Sequence, residues 1–135
     1  KEKMILTPTY HVMEMYNVHQ DATMIPVQII TNDYVFGNEK LPAVSASASK
    51  DKNGVTHISL VNIDAAKSQD ITVNINAAKF TAVTGRILTS KKLQDFNSFA
   101  EPNKIQPLDF KDVKLNNNSL SVKLPPYSVV VLTLK

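Results

Sequence analysis

The last twelve residues, Leu124 to Lys135, restrict the fold more than any other stretch. Leu124-Pro125-Pro126-Tyr127-Ser128 is a turn, because two adjacent prolines donate no backbone hydrogen bond and stop whatever precedes them. Val129-Val130-Val131-Leu132-Thr133-Leu134 follows, with three β-branched valines and no charge. A short uncharged run bounded by turn residues suits a strand buried on both faces. A chain that ends on such a strand must surround it, which places this strand at the centre of a layered β core.

Ahead of it the hydrophobic period changes once. Thr7-Pro8 reads as an N-cap followed by proline at the first helical position, opening a helix from about Pro8 to Gln20. Val12, Met15, Tyr16 and His19 recur at helical spacing on one face, and Tyr10 and Met13 are expected to widen it. Core packing is the plain reading of that face, with a ligand-binding Met/Tyr face as the rival. After Asp21-Ala22 the period is two. Strands are expected over Pro26–Thr31, Ala43–Ser49, Val55–Ile63, Ile71–Ile75, about Ala82–Thr89, Phe110–Leu115 and Ser119–Leu124, ahead of the last one. Asn53-Gly54 in Asp51-Lys52-Asn53-Gly54 suggests a type I′ hairpin turn, and Gly85 inside a strand suggests a bulge or a close backbone approach. Residues 32–40 read as a loop containing Gly37. Ser90 to Pro107 is the longest irregular stretch, with Phe96 and Phe99 expected to tuck onto the β core. The expected class is therefore all-β: an antiparallel, jelly-roll-like β-sandwich of about eight strands preceded by one short α-helix.

The residues that could carry chemistry are few. His11 and His19 lie roughly 12 Å apart along a helix, too far to share a metal, and His57 is alone in its strand. Asp64 and Asp70 flank a turn, and Asp109 and Asp112 a strand start, without forming an evident acid/base pair. The serines lack a nucleophile elbow, and three glycines (Gly37, Gly54, Gly85) make no phosphate loop. Asn117-Asn118-Ser119 fits a glycosylation acceptor, a pattern frequent by chance. A sugar-binding surface needs exposed flat rings. With no Trp, only Tyr34, Phe36, Phe96 and Phe99 are available. Only one of the 15 basic residues is Arg (Arg86), and the lysines are scattered, which argues against nucleic acid as a partner. No run of about 18 apolar residues exists to cross a membrane, and Met4-Ile5-Leu6 is too short for the apolar core of a signal peptide. The absence of cysteine removes disulfides and thiolate metal sites but leaves the compartment, cytoplasmic or exported, open. The chain lacks an initiator Met at position 1 and looks like part of something larger.

Several stretches together carry a resemblance. They are Leu6-Thr7-Pro8-Thr9-Tyr10-His11-Val12 with Glu14-Met15-Tyr16 and Val18-His19-Gln20; Leu41 to Ser49; His57-Ile58-Ser59-Leu60-Val61-Asn62; Gly85-Arg86-Ile87-Leu88-Thr89; and Leu124-Pro125-Pro126 with Ser128-Val129. In this order they resemble the C-terminal end of a family 51 glycoside hydrolase, an α-L-arabinofuranosidase. The resemblance implies that residues 1–22 are the stub of the last helix of a catalytic (β/α)8 barrel and residues 23–135 a C-terminal β-sandwich. It implies a retaining parent enzyme acting on arabinan or arabinoxylan side chains, whose two catalytic glutamates lie upstream of every residue here. Glu14 is not one of them. No catalytic, substrate-binding or metal residue and no cofactor carries over. The expected role is to brace the barrel, with the chain inactive alone. Its expected partners are the missing N-terminal barrel and, through the parent, plant polysaccharide. An independent glycan-binding module and an oligomerisation domain that pairs copies through the helix are the alternatives.

Overall fold

The computed structural model describes residues 3–76, 79–117 and 119–135. Asn118 of the glycosylation pattern and Lys1-Glu2 lie outside them. Helix α1 (Pro8–Tyr16) leads into a 3-10 turn (Asn17–His19), and eleven strands follow among the described residues. They are β1 (Thr23–Ile25), β2 (Asp33–Phe36), β3 (Glu39–Pro42), β4 (Val44–Lys50), β5 (Thr56–Asn62), β6 (Gln69–Asn74), β7 (Val83–Leu88), β8 (Leu108–Asp109), β9 (Val113–Asn116), β10 (Ser119–Leu124) and β11 (Ser128–Leu134). A six-stranded sheet has the order β1-β4-β5-β11-β7-β8, a three-stranded sheet the order β6-β10-β9, and β2-β3 pair as a sheet of their own. Every pairing is antiparallel.

The final strand occupies the position its composition demands. β11 pairs along its whole length with β5 on one side, from Ser128↔Asn62 to Leu134↔Thr56, and from Val129↔Leu88 to Leu134↔Val83 with β7 on the other. Val130, Leu132 and Leu134 face the sandwich interior, with Ile58 and Leu60 of β5 and Leu120, Val122 and Leu124 of the opposing sheet. Val131 points the other way, into a second core with Met15, Leu88 and Ile105, against which Val12, Tyr16, Val18 and Val129 pack. The large sheet is therefore covered twice: by the three-stranded sheet on its inner face, and by α1 and the loop after β7 on its outer face. Side chains on both faces of β11 are buried or half-buried, which fits its lack of charge.

Alternation along the flanking strands fits this arrangement. Val44, Ala46 and Ala48 join the inner core while Ser45, Ser47 and Ser49 take the outer face. On β5, Ile58 and Leu60 go in while His57 and Ser59 go out toward the helix. Ile71, Val73 and Ile75 pack inward from the second sheet, as their alternation predicts. At Gly85 the reason is a close approach. A Cβ there would sit 2.9 Å from Leu132 Cδ2 and 3.1 Å from Phe110 Cβ.

Several expectations change. The helix ends its regular part at Tyr16, because its last turn tightens to 3-10. Its cap is as read: Thr7 Oγ1 accepts from Tyr10 N. Tyr10 and Met13 are 49% and 70% exposed and do not widen the buried face; that face is set by Met15 and its neighbours on the sheet. The strand expected at Pro26–Thr31 is absent; its place at the sheet edge is taken by β1, and residues 26–32 are an extended crossing that drops Ile29 onto the inner core. Residues 32–40, read as a loop, instead give β2 and β3 around a two-residue Gly37-Asn38 turn. The strand expected over Phe110–Leu115 is split. Leu108–Asp109 pairs with β7 and Val113–Asn116 with β10, so the chain changes sheets between them, with Phe110 N donating to Gly85 O. The 51–54 turn is not type I′, since only Gly54 has positive φ (+82°). Gly54 N donates to Asp51 O and Asp51 N to Val55 O, the three-residue loop in which a left-handed glycine closes the hairpin.

Gly85→Ala is expected to lower stability by about 1–3 kcal/mol through overpacking. Chemical denaturation checks this, and an unchanged midpoint would show that Leu132 and Phe110 yield freely.

Candidate functional site

The outer face of the large sheet, where α1 packs on β7 and β11 and the 3-10 turn after it reaches β4 and β5, gathers the polar side chains that the sequence left scattered. The serines of β4 and β5 are small enough to let the end of the helix approach. His19 enters there, and its two ring nitrogens share hydrogen bonds with the hydroxyls of Ser49 (Nδ1, 2.7 Å) and Ser59 (Nε2). One nitrogen donates and the other accepts in the neutral ring, and hydroxyls rotate to suit either tautomer. His57, expected to be alone, stands edge-on to His19 with ring centroids 6.5 Å apart. Its Nδ1 meets Thr133 Oγ1 at 3.2 Å, and its Nε2 lies 3.5 Å from Asp51 Oδ2. Tyr16 closes the group, edge-on to His19 at 5.6 Å.

The electrostatics favour a neutral His19 ring. Burial pushes His19 below its ordinary value, and the neighbouring His57 adds to this. Burial raises Tyr16. Asp51 is held low chiefly by the backbone N–H of Val55, then by that of Asn53 and by His57. At the far side of the helix Glu14 accepts from Arg86 Nη1 at 2.9 Å, and that hydrogen bond lowers the Glu14 carboxyl. Both partners are about half exposed, so the pair orients the helix more than it stabilises it.

This arrangement does not suit catalysis. Ser59, the hydroxyl beside the imidazole, is 1% exposed, and no substrate atom reaches it. The recess beside it is shallow, about 240 Å³, lined by Met15, Val18, Arg86, Asp109 and Thr133 among others. That is below the range of about 300–1,000 Å³ usual for small-molecule sites. No group of three or more His, Asp or Glu side chains is close enough to hold a metal ion among the described residues. No helix among them is long and apolar enough to cross a membrane. The group acts as a polar clasp between the helix and the sheet.

The other singled-out residues fall elsewhere. His11 stacks edge-on with Tyr10, away from His19. Asp64 is buried, and its Oδ1 accepts from Ala66 N and Lys67 N, so it shapes a turn; Asp70, Asp109 and Asp112 are exposed. Tyr34 is half-buried and Phe36 exposed on the β2–β3 hairpin. Phe96 and Phe99 do not tuck onto the sandwich; they are 67% and 64% exposed. Ile105 does that work instead, entering the outer core. Polar bonds fasten the loop. Asn97 Nδ2 donates to Leu6 O and Ile105 O, its Oδ1 accepts from Ile105 N, and Asp95 is held by Ser90 and by Lys104 at 3.1 Å. Asn62 was also missed. It is fully buried at the end of β5, donating to Lys67 O and Pro125 O and accepting from Asp64 N. These partners lie far apart in sequence, and no local pattern announces them.

A family model described as the alpha-L-arabinofuranosidase C-terminal domain matches residues 1–128. The chain belongs to this family. It is 49% identical over 135 residues to an intracellular exo-alpha-L-arabinofuranosidase of Bacteroides ovatus, covering 99% of this chain and 26% of the relative. The GH51 arabinofuranosidase of Xanthomonas axonopodis pv. citri is similar with a TM-score of 0.96 and 40% identity, over 98% of this chain and 27% of that one. The family 51 alpha-L-arabinofuranosidase AbfB of Bifidobacterium longum shares the fold, with a TM-score of 0.86 at 15% identity over 97% of this chain and 26% of that one. This C-terminal domain thus spans about a quarter of the length of the relatives it matches.

Two outcomes follow for this C-terminal domain. Since His19 titrates below its ordinary 6.5 when folded, the unfolded chain takes up a proton first. The clasp's stability is complete above pH 6.5 and is lost as pH falls through the lower folded value. Thermal unfolding followed against pH should show a decline below 6.5 that His19→Gln removes; identical profiles for the two proteins would contradict it. Asn62→Ala should cost about 1–3 kcal/mol by leaving buried backbone groups unpaired, read as a shift in the urea midpoint.

Proposed function

We propose that this chain is the non-catalytic C-terminal β-sandwich of an α-L-arabinofuranosidase and serves to brace an upstream catalytic (β/α)8 barrel. In this reading residues 1–22 belong to the end of the barrel and residues 23–135 to the sandwich, with α1 as the piece shared between them. The whole enzyme removes arabinofuranosyl groups from arabinan or arabinoxylan side chains by a retaining mechanism, and its two catalytic glutamates lie in the barrel.

One observation carries the reading. The face of the sheet that would otherwise offer a cleft is filled by α1 and the 3-10 turn after it, with Met15 of the helix in a hydrophobic core and His19 of the turn bonded to two serines of the sheet. A helix fixed in this way is a rigid joint: movement of whatever precedes it must break a packed core and a hydrogen-bonded clasp together. Membership of the C-terminal domain family and the similarity to enzymes named arabinofuranosidases support the same reading.

The test is an aryl α-L-arabinofuranoside assay on the longer polypeptide and on the 135-residue chain alone. Turnover by the longer protein and none by the chain alone is the expected result. Turnover by the chain alone, abolished by a point substitution within it, would overturn the reading.

A further inference from the structure

We propose that Asn53, in the turn between β4 and β5, is a self-modification site: the backbone nitrogen of Gly54 displaces the Asn53 side-chain amide, and Asp51 sets the pace of the reaction.

Asn53-Gly54 is the one Asn-Gly pair in the sequence. The turn needs glycine at 54, where φ is +82°. The same glycine leaves its own amide nitrogen unshielded. Both residues are exposed, and the nearest heavy atom to a Cβ placed on Gly54 is Lys50 Cε at 3.7 Å. The bonds that close the turn run from Asn53 N and Val55 N to Asp51 Oδ1 (2.8 and 2.9 Å) and from Gly54 N to Asp51 O (3.1 Å). None of them holds the Asn53 side chain, so its Cγ can swing toward the nitrogen of residue 54.

Other asparagines are placed differently. Asn62 is buried with its amide donating to Lys67 O and Pro125 O, and the β-branched Ile63 follows it. Asn97 donates to Leu6 O and Ile105 O, and Asn116 to Ser121 Oγ. An amide held in this way cannot turn back on its own chain, and a branched side chain at the next residue crowds the attacking nitrogen.

The chemistry needs only water as co-reactant. Gly54 N loses its proton and bonds to Asn53 Cγ. The Cγ–Nδ2 bond breaks, and ammonia leaves with that proton. The resulting five-membered succinimide takes up one water, which opens either of its carbonyls. Opening at Cγ gives aspartate at 53. Opening at the backbone carbonyl gives isoaspartate, whose main chain runs through the side chain and is one atom longer. Nothing is oxidised or reduced.

The turn governs the rate. Gly54 N donates to Asp51 O, so it attacks only after that bond lets go, and the reaction runs through local opening of the turn. The two amide bonds to the Asp51 carboxylate hold the turn shut, and bonds to a charged acceptor are the stronger kind. The position also gives the modification a consequence. Directly beyond the turn Lys50 pairs with Thr56 and Ser49 with His57. Ser49 bonds His19, and His57 stands against it, so both belong to the clasp beneath the helix. A main chain one atom longer at 53 breaks the pattern of bonds that closes this hairpin. Either product also adds a negative charge to the turn whose Asp51 faces His57.

The test incubates the longer polypeptide at mildly alkaline pH and digests it with pepsin in acid, where the ring forms slowly. Fragmentation in the mass spectrometer then localises the gain of an acid in place of an amide. The gain is expected at Asn53, with ammonia released in equal amount, and not at Asn62, Asn97 or Asn116. Asn53→Gln should show none, since a longer side chain closes the ring poorly. Asp51→Ala should raise the rate roughly tenfold through the loss of two charge-assisted bonds, and amide exchange at Val55 measures the opening in the same samples. Should that variant unfold, Asp51→Asn, which keeps the acceptor without its charge, takes its place with a smaller rise. After ageing, exchange at Ser49 and His57 should quicken in the unsubstituted protein and stay unchanged in Asn53→Gln. An Asn53 that stays intact in the folded protein while the urea-unfolded chain gains mass there overturns the proposal, as does a gain spread evenly over the asparagines. Faster exchange at Val55 without a faster gain at Asn53 overturns the role of Asp51.

Discussion

The structure depends on the double pairing of β11. A strand hydrogen-bonded on both edges and buried or half-buried on both faces leaves little of its length to solvent. Each neighbouring element is therefore constrained to satisfy it. β5 and β7 supply the backbone partners, the β6-β10-β9 sheet covers Val130, Leu132 and Leu134, and α1 with Ile105 covers Val131. Backbone groups left unpaired in such a place would cost more than most side-chain contacts return. The Pro-Pro turn ahead of the strand is fixed from three directions: Asn62 donates to Pro125 O, Tyr127 N donates to Asp64 O, and Ser128 Oγ donates to Pro125 O. Those bonds hold Tyr127 at a positive φ of 35°, a conformation a non-glycine residue adopts only when its surroundings enforce it.

The outer face of the sheet shows how a structural joint is built from residue types often associated with catalysis. Histidine, serine and tyrosine stand within hydrogen-bonding and stacking distance, yet the hydroxyls are buried and the acid nearest His57 is occupied by the amides of its own turn. The same chemistry that would activate a nucleophile in an open cleft here satisfies polar groups beneath a helix. Small serines on β4 and β5 lower the sheet surface enough for His19 to reach two of them. Bulkier side chains at those positions would lift the helix and leave Met15 without its core.

Much of the fold was legible where one face of an element is dry. The uncharged run of β11, the alternation at Ile71, Val73 and Ile75, the Ser-Ala alternation of β4 and the Thr7-Pro8 cap all translate directly into the observed elements. Gly85 reads in the sequence as a bulge or a close backbone approach, whereas what comes close to it is the side chains of Leu132 and Phe110. The failures occur where tertiary context decides. Pro26–Thr31 has strand composition but lies in the crossing between β1 and the hairpin. Residues 32–40 read as a loop because Asn32, Asp33, Gly37 and Asn38 are turn formers, while Tyr34 and Phe36 pair across to Leu41 and Glu39 in a hairpin with no core of its own. Phe96 and Phe99 were expected to bury themselves because aromatics usually do; the loop is instead anchored by Ile105 and by hydrogen bonds from Asn97. The clasp was the least legible part. His19, Ser49, Ser59 and His57 come together through the docking of a helix on a sheet, and their spacing in sequence carries no trace of it.

In the proposed reading this domain supports a neighbouring domain and does not itself engage sugar. An NMR titration of the 135-residue chain with arabino-oligosaccharides tests this, following backbone amides across the β2–β3 hairpin, the 90–107 loop and the outer face. A purely supporting domain keeps its amide resonances in place throughout the titration. Saturable shifts confined to the β2–β3 hairpin around Tyr34 and Phe36, or to the loop around Phe96, would contradict it and identify a glycan-binding module.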